Sequence, residues 1–136
     1  MITCTLAVHY PHNSGHVWGT VNVSADILCT SIVDFIYIST GLRGAANGNG
    51  WAQGSNIGYK DSNAAAPCTN GAYWGIGSGT ITFPPGFTPR QANVSGSGVT
   101  RTINCSVAGR SVQTSSGKGE SGENVVLYTV SAHQED

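Results

Sequence analysis

The feature that most constrains the fold is a regular alternation of apolar and polar residues. Residues 2–9 place Cys4, Leu6 and Val8 on one face, and residues 16–29 carry a similar apolar row that ends at Cys29. A period of two residues is that of a β-strand with one buried face. No segment sustains the helical period of about 3.6 residues. The sequence therefore predicts an all-β protein.

Turn-forming residues divide the alternating segments into many short strands. The turn at 10–15 (YPHNSG) joins the first two strands as a hairpin, and PPGFTP at 84–89 ends a glycine-rich strand at 72–83. The apolar segment 30–40 reads as a central strand. Short strands with regularly spaced turns are typical of sandwiches and barrels. We therefore expect a disulfide-stapled antiparallel β-sandwich, Ig-like or jelly-roll-like.

The cysteines indicate where the protein works. Cys4, Cys29, Cys68 and Cys105 form no CxxC pair, which argues against zinc-ribbon and thioredoxin-like sites. An even number of separated cysteines in a β-rich chain predicts two disulfides and an oxidising compartment. Three pairings are possible, and we favour Cys4–Cys29 with Cys68–Cys105. The alternative is a cytosolic protein with free thiols.

The composition excludes several classes of partner. Only 10% of the residues are charged, against about 25% in average soluble proteins. A net charge of −1 gives no field to attract nucleic acid or an anionic membrane. No apolar run approaches the roughly 20 residues of a transmembrane helix. We expect a secreted protein whose leader has been removed, with Met1 in its place.

The chain divides into three segments. Residues 1–105 form the cysteine-bounded body, 106–123 are a Ser/Gly-rich linker, and 124–136 contain a strand-like apolar run with an acidic end. An exposed apolar strand promotes aggregation, so this run needs a sheet edge to pair with. The edge belongs either to its own body, which we favour, or to a neighbouring subunit. The second case would make the protein a homo-oligomer or filament by strand addition.

Three segments carry a resemblance to a known group of proteins. They are CTLAVHYPHNSGHVWGTVNVSADILC at 4–29, APCTNGAYWGIGSGTITFPPGFTP at 66–89 and TINC at 102–105. Together they resemble small exported, disulfide-containing β-proteins of actinobacteria, a group of unknown function. The resemblance covers about residues 3–105, and its most specific element is the glycine-rich strand that runs into FPPG. It implies export and disulfides and implies nothing about catalysis.

Three histidines near the start of the chain could hold a metal ion. If the hairpin closes with Val8 opposite Val17, His9 faces His16 across the strands, within reach of one divalent ion. His12, in the turn, could act as a third ligand. Structural metal sites usually have four ligands, however, and no Asp, Glu or Cys nearby completes this one. We therefore favour the interpretation that these histidines are solvated surface residues.

Catalytic machinery is not evident in the sequence. Asp34 interrupts the apolar strand at 30–40, and we expect it to form a structural ion pair with Arg43 or Arg101. No second carboxylate suggests a glycosidase pair, and no nucleophile, zinc-protease or phosphate-binding motif occurs. We predict that the protein is not an enzyme and needs no cofactor.

Aromatic residues are the better candidates for a binding site. Exposed rings on a rigid β-face stack against sugars and act as hot spots at protein interfaces. The alternative for each tryptophan is that it packs over the glycines at 75–79, because a glycine in a strand leaves space for a neighbouring ring. The candidate binding residues are Trp18, Trp51, Tyr59, Tyr73 and Trp74.

The leading functional hypothesis is an extracellular, non-enzymatic binding or assembly module, with self-association through the C-terminal strand as one route. Its partner would be a second copy of the chain, an extracellular protein or a glycan. One alternative is a carbohydrate- or cell-surface-binding module that uses the exposed aromatics. Another is a small secreted metal-dependent enzyme, a toxin or an inhibitor. The glycine-rich segment 41–50, predicted to be the most mobile loop, would carry the toxin or inhibitor activity.

Overall fold

The computed structural model describes residues 1–13, 19–105 and 125–134, and these residues are nearly all β. In this part of the chain, no helix has the length and apolar character that a membrane crossing requires. The all-β prediction is confirmed. The strands are β1 (Ile2–Val8), β2 (His12–Asn13), β3 (Thr20–Gly44), β4 (Gly48–Pro67), β5 (Gly71–Thr82), β6 (Phe87–Thr88), β7 (Gln91–Ser97), β8 (Arg101–Ile103) and β9 (Val126–Gln134).

The strands pair antiparallel in the order β6-β9-β1-β3-β5-β7, with β4 and β2 on β3 and β8 on β5. The sheet curls until β7 approaches β9. There the Tyr128 ring packs against Gly96. Its hydroxyl donates to the Ser97 carbonyl at 2.6 Å and accepts from the Ser97 amide at 3.1 Å. The result is a nearly closed, barrel-like sheet, and the sandwich expected from the strand count is not confirmed.

The main departure from the predicted strands is one long ribbon formed by β3 and β4. The two strands pair from Thr20↔Pro67 to Leu42↔Gly48, with an irregularity between Leu28 and Val33. The ribbon doubles over, so that the backbone at Gly48 and Gly50 meets the backbone at residues 63–65. Only small residues allow two backbones to approach so closely. The predicted loop at 41–50 is therefore wrong, because only residues 45–47 lie between the two strands.

The core lies inside the curled sheet and is mainly aliphatic. Gly75, Gly77 and Gly79 of β5 are buried on the face they share with Ile81 and Phe83, as their spacing predicted. Aliphatic side chains of β1 and β3 occupy the space over this glycine row, and no described tryptophan does. The side chains that a Cβ on these glycines would meet are those of Leu6, Val8, Val23, Ala25 and Ile27.

Both disulfides are present in the pairing that we favoured. Cys4–Cys29 joins β1 to β3 at directly paired positions. Cys68–Cys105 joins the residue after β4 to the segment that follows β8. None of the four cysteines is free. The two bonds indicate an oxidising, non-cytoplasmic environment.

The C-terminal run pairs within its own chain. Strand β9 lies along β1 from Ile2↔Ala132 to Val8↔Val126, and its end pairs with β6. Its inward-facing residues include Tyr128 and the buried Ala132. The predicted linker at 106–123 lies outside the described residues.

Candidate functional site

The best candidate site is the outer face of four neighbouring strands, β4, β3, β5 and β7. Because successive side chains of a strand point to opposite faces, the residues that alternate with the buried ones form cross-strand rows on the outside. The three central rows are Asn49–Gly41–Ile76–Ser97, Trp51–Ser39–Ser78–Ser95 and Gln53–Tyr37–Thr80–Asn93.

A groove of about 490 Å³ crosses this face. Gly41 lies in the middle of the face and contributes no side chain, which leaves a depression between the Trp51 side and the β7 side. A volume of several hundred Å³ is typical of small-molecule sites. Its lining combines aromatic, hydroxyl and amide groups with one guanidinium.

Trp51 forms one wall of the groove and is 64% exposed. Its indole ring stacks on the Tyr37 ring, with 6.1 Å between centroids and 25° between planes. The contact arises because Tyr37 pairs with Gln53, one row away from the Ser39–Trp51 pair. A ring supported from behind presents a flat apolar face at a low cost in conformational entropy.

Small polar side chains form the floor and the opposite side. Ser39 and Ser78 share a hydrogen bond of 2.7 Å between their hydroxyls. Beside the groove on the same face, the Thr80 hydroxyl donates to Asn93 Oδ1 at 2.8 Å. Since a hydroxyl combines one donor with two acceptor lone pairs, these groups keep free capacity for a polar ligand. Ser95 extends the hydroxyl row onto β7.

Arg43 closes one end of the groove. Its Nη1 donates to the carbonyls of Leu42 at 2.9 Å and Gly48 at 3.0 Å, and its Nη2 donates to Asn49 Oδ1 at 2.9 Å. The guanidinium folds back over Gly41, where Nη1 lies 2.9 Å from the position a Cβ would occupy. The missing side chain of Gly41 therefore makes room for this positive charge.

The structure separates the five aromatic candidates. Trp51 lies in the groove, and Trp74, 36% exposed, lies on the same face opposite Arg43. Tyr59 is 49% exposed but lies on the distant half of β4, outside the groove. Tyr73 is buried, so its assignment to a surface site is wrong. It shares the inward face of β5, where its hydroxyl bonds to Thr69. Trp18 lies outside the described residues.

The expected hairpin register, on which the histidine site depended, is wrong. Val8 pairs with Ala25, not with Val17, and the His9 amide donates to the Ser24 carbonyl at 3.1 Å. His9 therefore lies opposite Ser24 of β3, because the chain between β1 and β3 is longer than a tight turn.

The side chain of His9 has a different partner. Its Nε2 lies 2.8 Å from Asp26 Oδ2. His12 lies in β2, with its ring 6.4 Å from that of Tyr10, and His16 is not among the described residues. Within the described ranges, no group of three or more His, Cys, Asp or Glu residues is placed to hold a metal ion.

Asp34 forms an ion pair, but with neither of the predicted arginines. Its Oδ2 accepts from Arg90 Nη2 at 3.0 Å, while the Arg101 guanidinium lies 4.5 Å from the centre of the Tyr10 ring. Arg90 also donates to the carbonyl of Phe83, the residue after β5, so its side chain links the turn before β7 to both β3 and the end of β5.

The sequence analysis missed most of the groove. Tyr37, Ser39 and Ser78 alternate with buried residues, so the period of two could have placed them on the outer face. Arg43 was hidden because the segment 41–50 was interpreted as a loop. Its alternation with the buried Leu42 was the available signal.

Comparison with known proteins assigns no family: no family model, no curated protein and no solved structure matches this chain. The functional argument therefore depends on the chemistry of the groove.

Proposed function

We propose that the protein is an extracellular, non-enzymatic binding module that holds a carbohydrate in the groove on its outer face. Export is supported by the two disulfides, which need an oxidising compartment to persist. It also agrees with the resemblance to small exported actinobacterial proteins.

The observation that carries the proposal is the exposed, supported ring of Trp51. A pyranose has a flat face of C–H groups, and such a face binds well to an indole ring that is open to solvent on one side. Tyr37 supports Trp51 from behind and keeps that side open. A tryptophan that served only the core would not be 64% exposed.

The polar lining supports the same ligand class. Sugar hydroxyls both donate and accept hydrogen bonds, and serine, threonine and asparagine side chains do the same. The groove sets such groups beside the aromatic wall, and sites of this kind combine an apolar surface with a few placed polar groups. The hydroxyl row leads from Trp51 through Ser39 and Ser78 to Ser95.

The distribution of carboxylates supports binding without hydrolysis. Glycosidases need two carboxylates that flank the bond to be cleaved. The carboxylates that the structure describes are those of Asp26, Asp34 and Asp61, and none of them lines the groove. Two of them are already paired, with His9 and Arg90.

We prefer this proposal to assembly through the C-terminal strand. Strand addition between subunits would require β9 to leave β1, with which it pairs at seven positions from Ile2↔Ala132 to Val8↔Val126. The groove, by contrast, is open in the single chain.

The test is a binding measurement with Trp51→Ala, using oligosaccharides selected on a broad glycan array. We expect wild-type protein to bind at least one class, and Trp51→Ala to weaken that binding about tenfold or more, since it removes a stacking contact of about 0.5–1.5 kcal/mol together with the apolar area that the ring buries. Tyr59→Ala is the matched control, because it removes another exposed ring of β4 outside the groove. Equal effects of the two variants, or no binding to any glycan, would contradict the proposal.

A further inference from the structure

We infer that the groove selects acidic sugars, with the carboxylate of a uronic acid bound to Arg43 while a sugar ring stacks on Trp51. This inference rests on the proposed carbohydrate-binding function and adds the charge of the ligand to it.

The first support is a positive charge that has no counter-charge among the residues that the structure describes. The three groups that Arg43 contacts are two backbone carbonyls and the side-chain amide of Asn49, all of them neutral. The two ion pairs among the described residues, His9–Asp26 and Arg90–Asp34, do not involve Arg43. A partly buried guanidinium that lacks a carboxylate partner attracts an anion into the groove.

The second support is the orientation of the guanidinium. An arginine has five N–H donors in a rigid plane, and the described contacts of Arg43 use three of them. The donors on Nε and one on Nη2 remain. A carboxylate can accept two parallel hydrogen bonds from one edge of a guanidinium, which gives both affinity and directional preference. The two carbonyl contacts hold the plane in place before a ligand arrives.

The third support is that the guanidinium and the ring belong to neighbouring rows of the outer face. The guanidinium lies over Gly41, with Cζ 3.0 Å and Nη1 2.9 Å from the position of a Cβ there. Trp51 pairs with Ser39, two residues earlier in β3. Two residues of a strand span about 6.6 Å. This spacing between the two rows suits a sugar ring on Trp51 whose own carboxylate, or that of the next ring, reaches Arg43.

The experiment compares uronate oligosaccharides with neutral counterparts of the same length and linkage. The probes are hexamers of galacturonate, mannuronate and glucuronate, each with its carboxyl-reduced form, measured by titration calorimetry with wild-type protein. A sulfated hexamer of an otherwise uncharged sugar tests whether the groove accepts any anionic sugar equally well. We expect at least one uronate to bind about tenfold more tightly than its reduced form, and more tightly than the sulfated sugar.

Two variants assign the preference to Arg43. Arg43→Gln should remove the difference between acidic and reduced sugars, because it should lower affinity for the acidic form far more than for the reduced form. Arg43→Lys should restore only part of the difference, because an ammonium lacks the planar pair of donors. Measurable binding of the reduced sugar also shows that the groove still forms in Arg43→Gln.

The possible failures are distinguishable. If neutral and acidic forms bind equally well and both lose affinity in Trp51→Ala, the carbohydrate-binding function stands and the preference for acidic sugars is overturned. Tighter binding of the sulfated sugar than of every uronate would also overturn it. If no sugar binds to the wild-type protein, the proposed function itself is wrong.

Discussion

Gly41 and Arg43 lie on the same face of β3, and the missing side chain of the first makes room for the guanidinium of the second. Trp51 and Tyr37 show the complementary arrangement, in which one large ring holds another outward. A few single positions therefore set the shape of the outer face: Gly41 has no side chain, and the Trp51 ring stacks on the Tyr37 ring. Tyr59 is another residue whose properties depend on its neighbours: its side chain is exposed, yet its surroundings change the pKa of its phenol.

Tyr59 carries a prediction about alkaline pH. Partial burial, and then the nearby charges of Asp26 and Asp61, raise the pKa of its phenol above the usual 10.0. The folded state therefore holds the phenolic proton more strongly than the unfolded state. This contribution to stability is fully present below the unfolded pKa of about 10 and is lost as pH rises through the higher, folded pKa.

The measurement is a titration that follows phenolate absorbance, with Tyr59→Phe subtracted to isolate this residue. We expect the Tyr59 transition above pH 10.0, and we expect Asp61→Asn to move it downward because one of the repelling charges is removed. A transition of Tyr59 at or below pH 10.0 in the wild-type protein would contradict the assigned environment.

Among the strands, close contacts between different parts of the sheet occur at β5 and at the doubled ribbon of β3 and β4. Residues without side chains form the contact in both places: Gly75, Gly77 and Gly79 in β5, and Gly48 and Gly50 in β4. In β5 the partners are aliphatic side chains, and in β4 they are backbone groups. Adding a side chain at either contact must push the two contacting segments apart, because protein interiors are densely packed.

Exchanging volume across the β5 contact tests this view. A Cβ on Gly75 would lie 2.6 Å from Cγ2 of Val23, so Gly75→Ala should lower the free energy of unfolding by about 1–3 kcal/mol through overpacking. Val23→Ala should also destabilise, by leaving a cavity. The double variant should cost less than the sum of the two, as measured by chemical denaturation. Additive costs would show that the two positions do not share this space.

These strands also show which parts of the fold can be predicted from the sequence. Residues 2–9 and 72–83 were predicted as strands because their alternation reflects one buried face each. The segment 41–50 was predicted as a loop instead, because its glycines and alanines occupy positions that apolar side chains usually mark. Its packing of backbone against backbone depends on a bend in the ribbon, and a local period cannot reveal that. Trp51 could be proposed as a binding residue from its residue type alone. Arg43 could be proposed only once the structure showed that it belongs to β3 and lies beside the groove.

At the scale of the whole molecule, two disulfides and one side-chain contact hold the curled sheet together. The disulfides close segments with sequence separations of 25 and 37 residues, and each contributes about 3–4 kcal/mol in the chain-entropy model. The Tyr128 hydroxyl closes the gap between β9 and β7 by bonding to Ser97. Strand β9 also pairs along the edge of β1, which would otherwise be open.

Deleting residues 125–136 tests this arrangement. We expect the full chain to be a monomer by light scattering, and the shortened chain to be less stable and to self-associate, because the edge of β1 loses its partner. Leu127→Ser is the control: Leu127 is 60% exposed on the outer side of β9, so the variant should remain monomeric with nearly unchanged stability. Oligomers of the full chain that disappear on deletion would instead support strand exchange between subunits.

The pairing of β1 with β9 also has a consequence for the order of folding. Partners such as Ile2 and Ala132 are separated by nearly the whole chain, and contacts between such distant residues form slowly. The β3–β4 hairpin and its neighbour β5 can assemble from nearby residues, whereas the edge of the first strand stays unpaired until the last residues of the chain are available. A nascent chain therefore exposes one open edge of β1 until β9 has emerged from the ribosome.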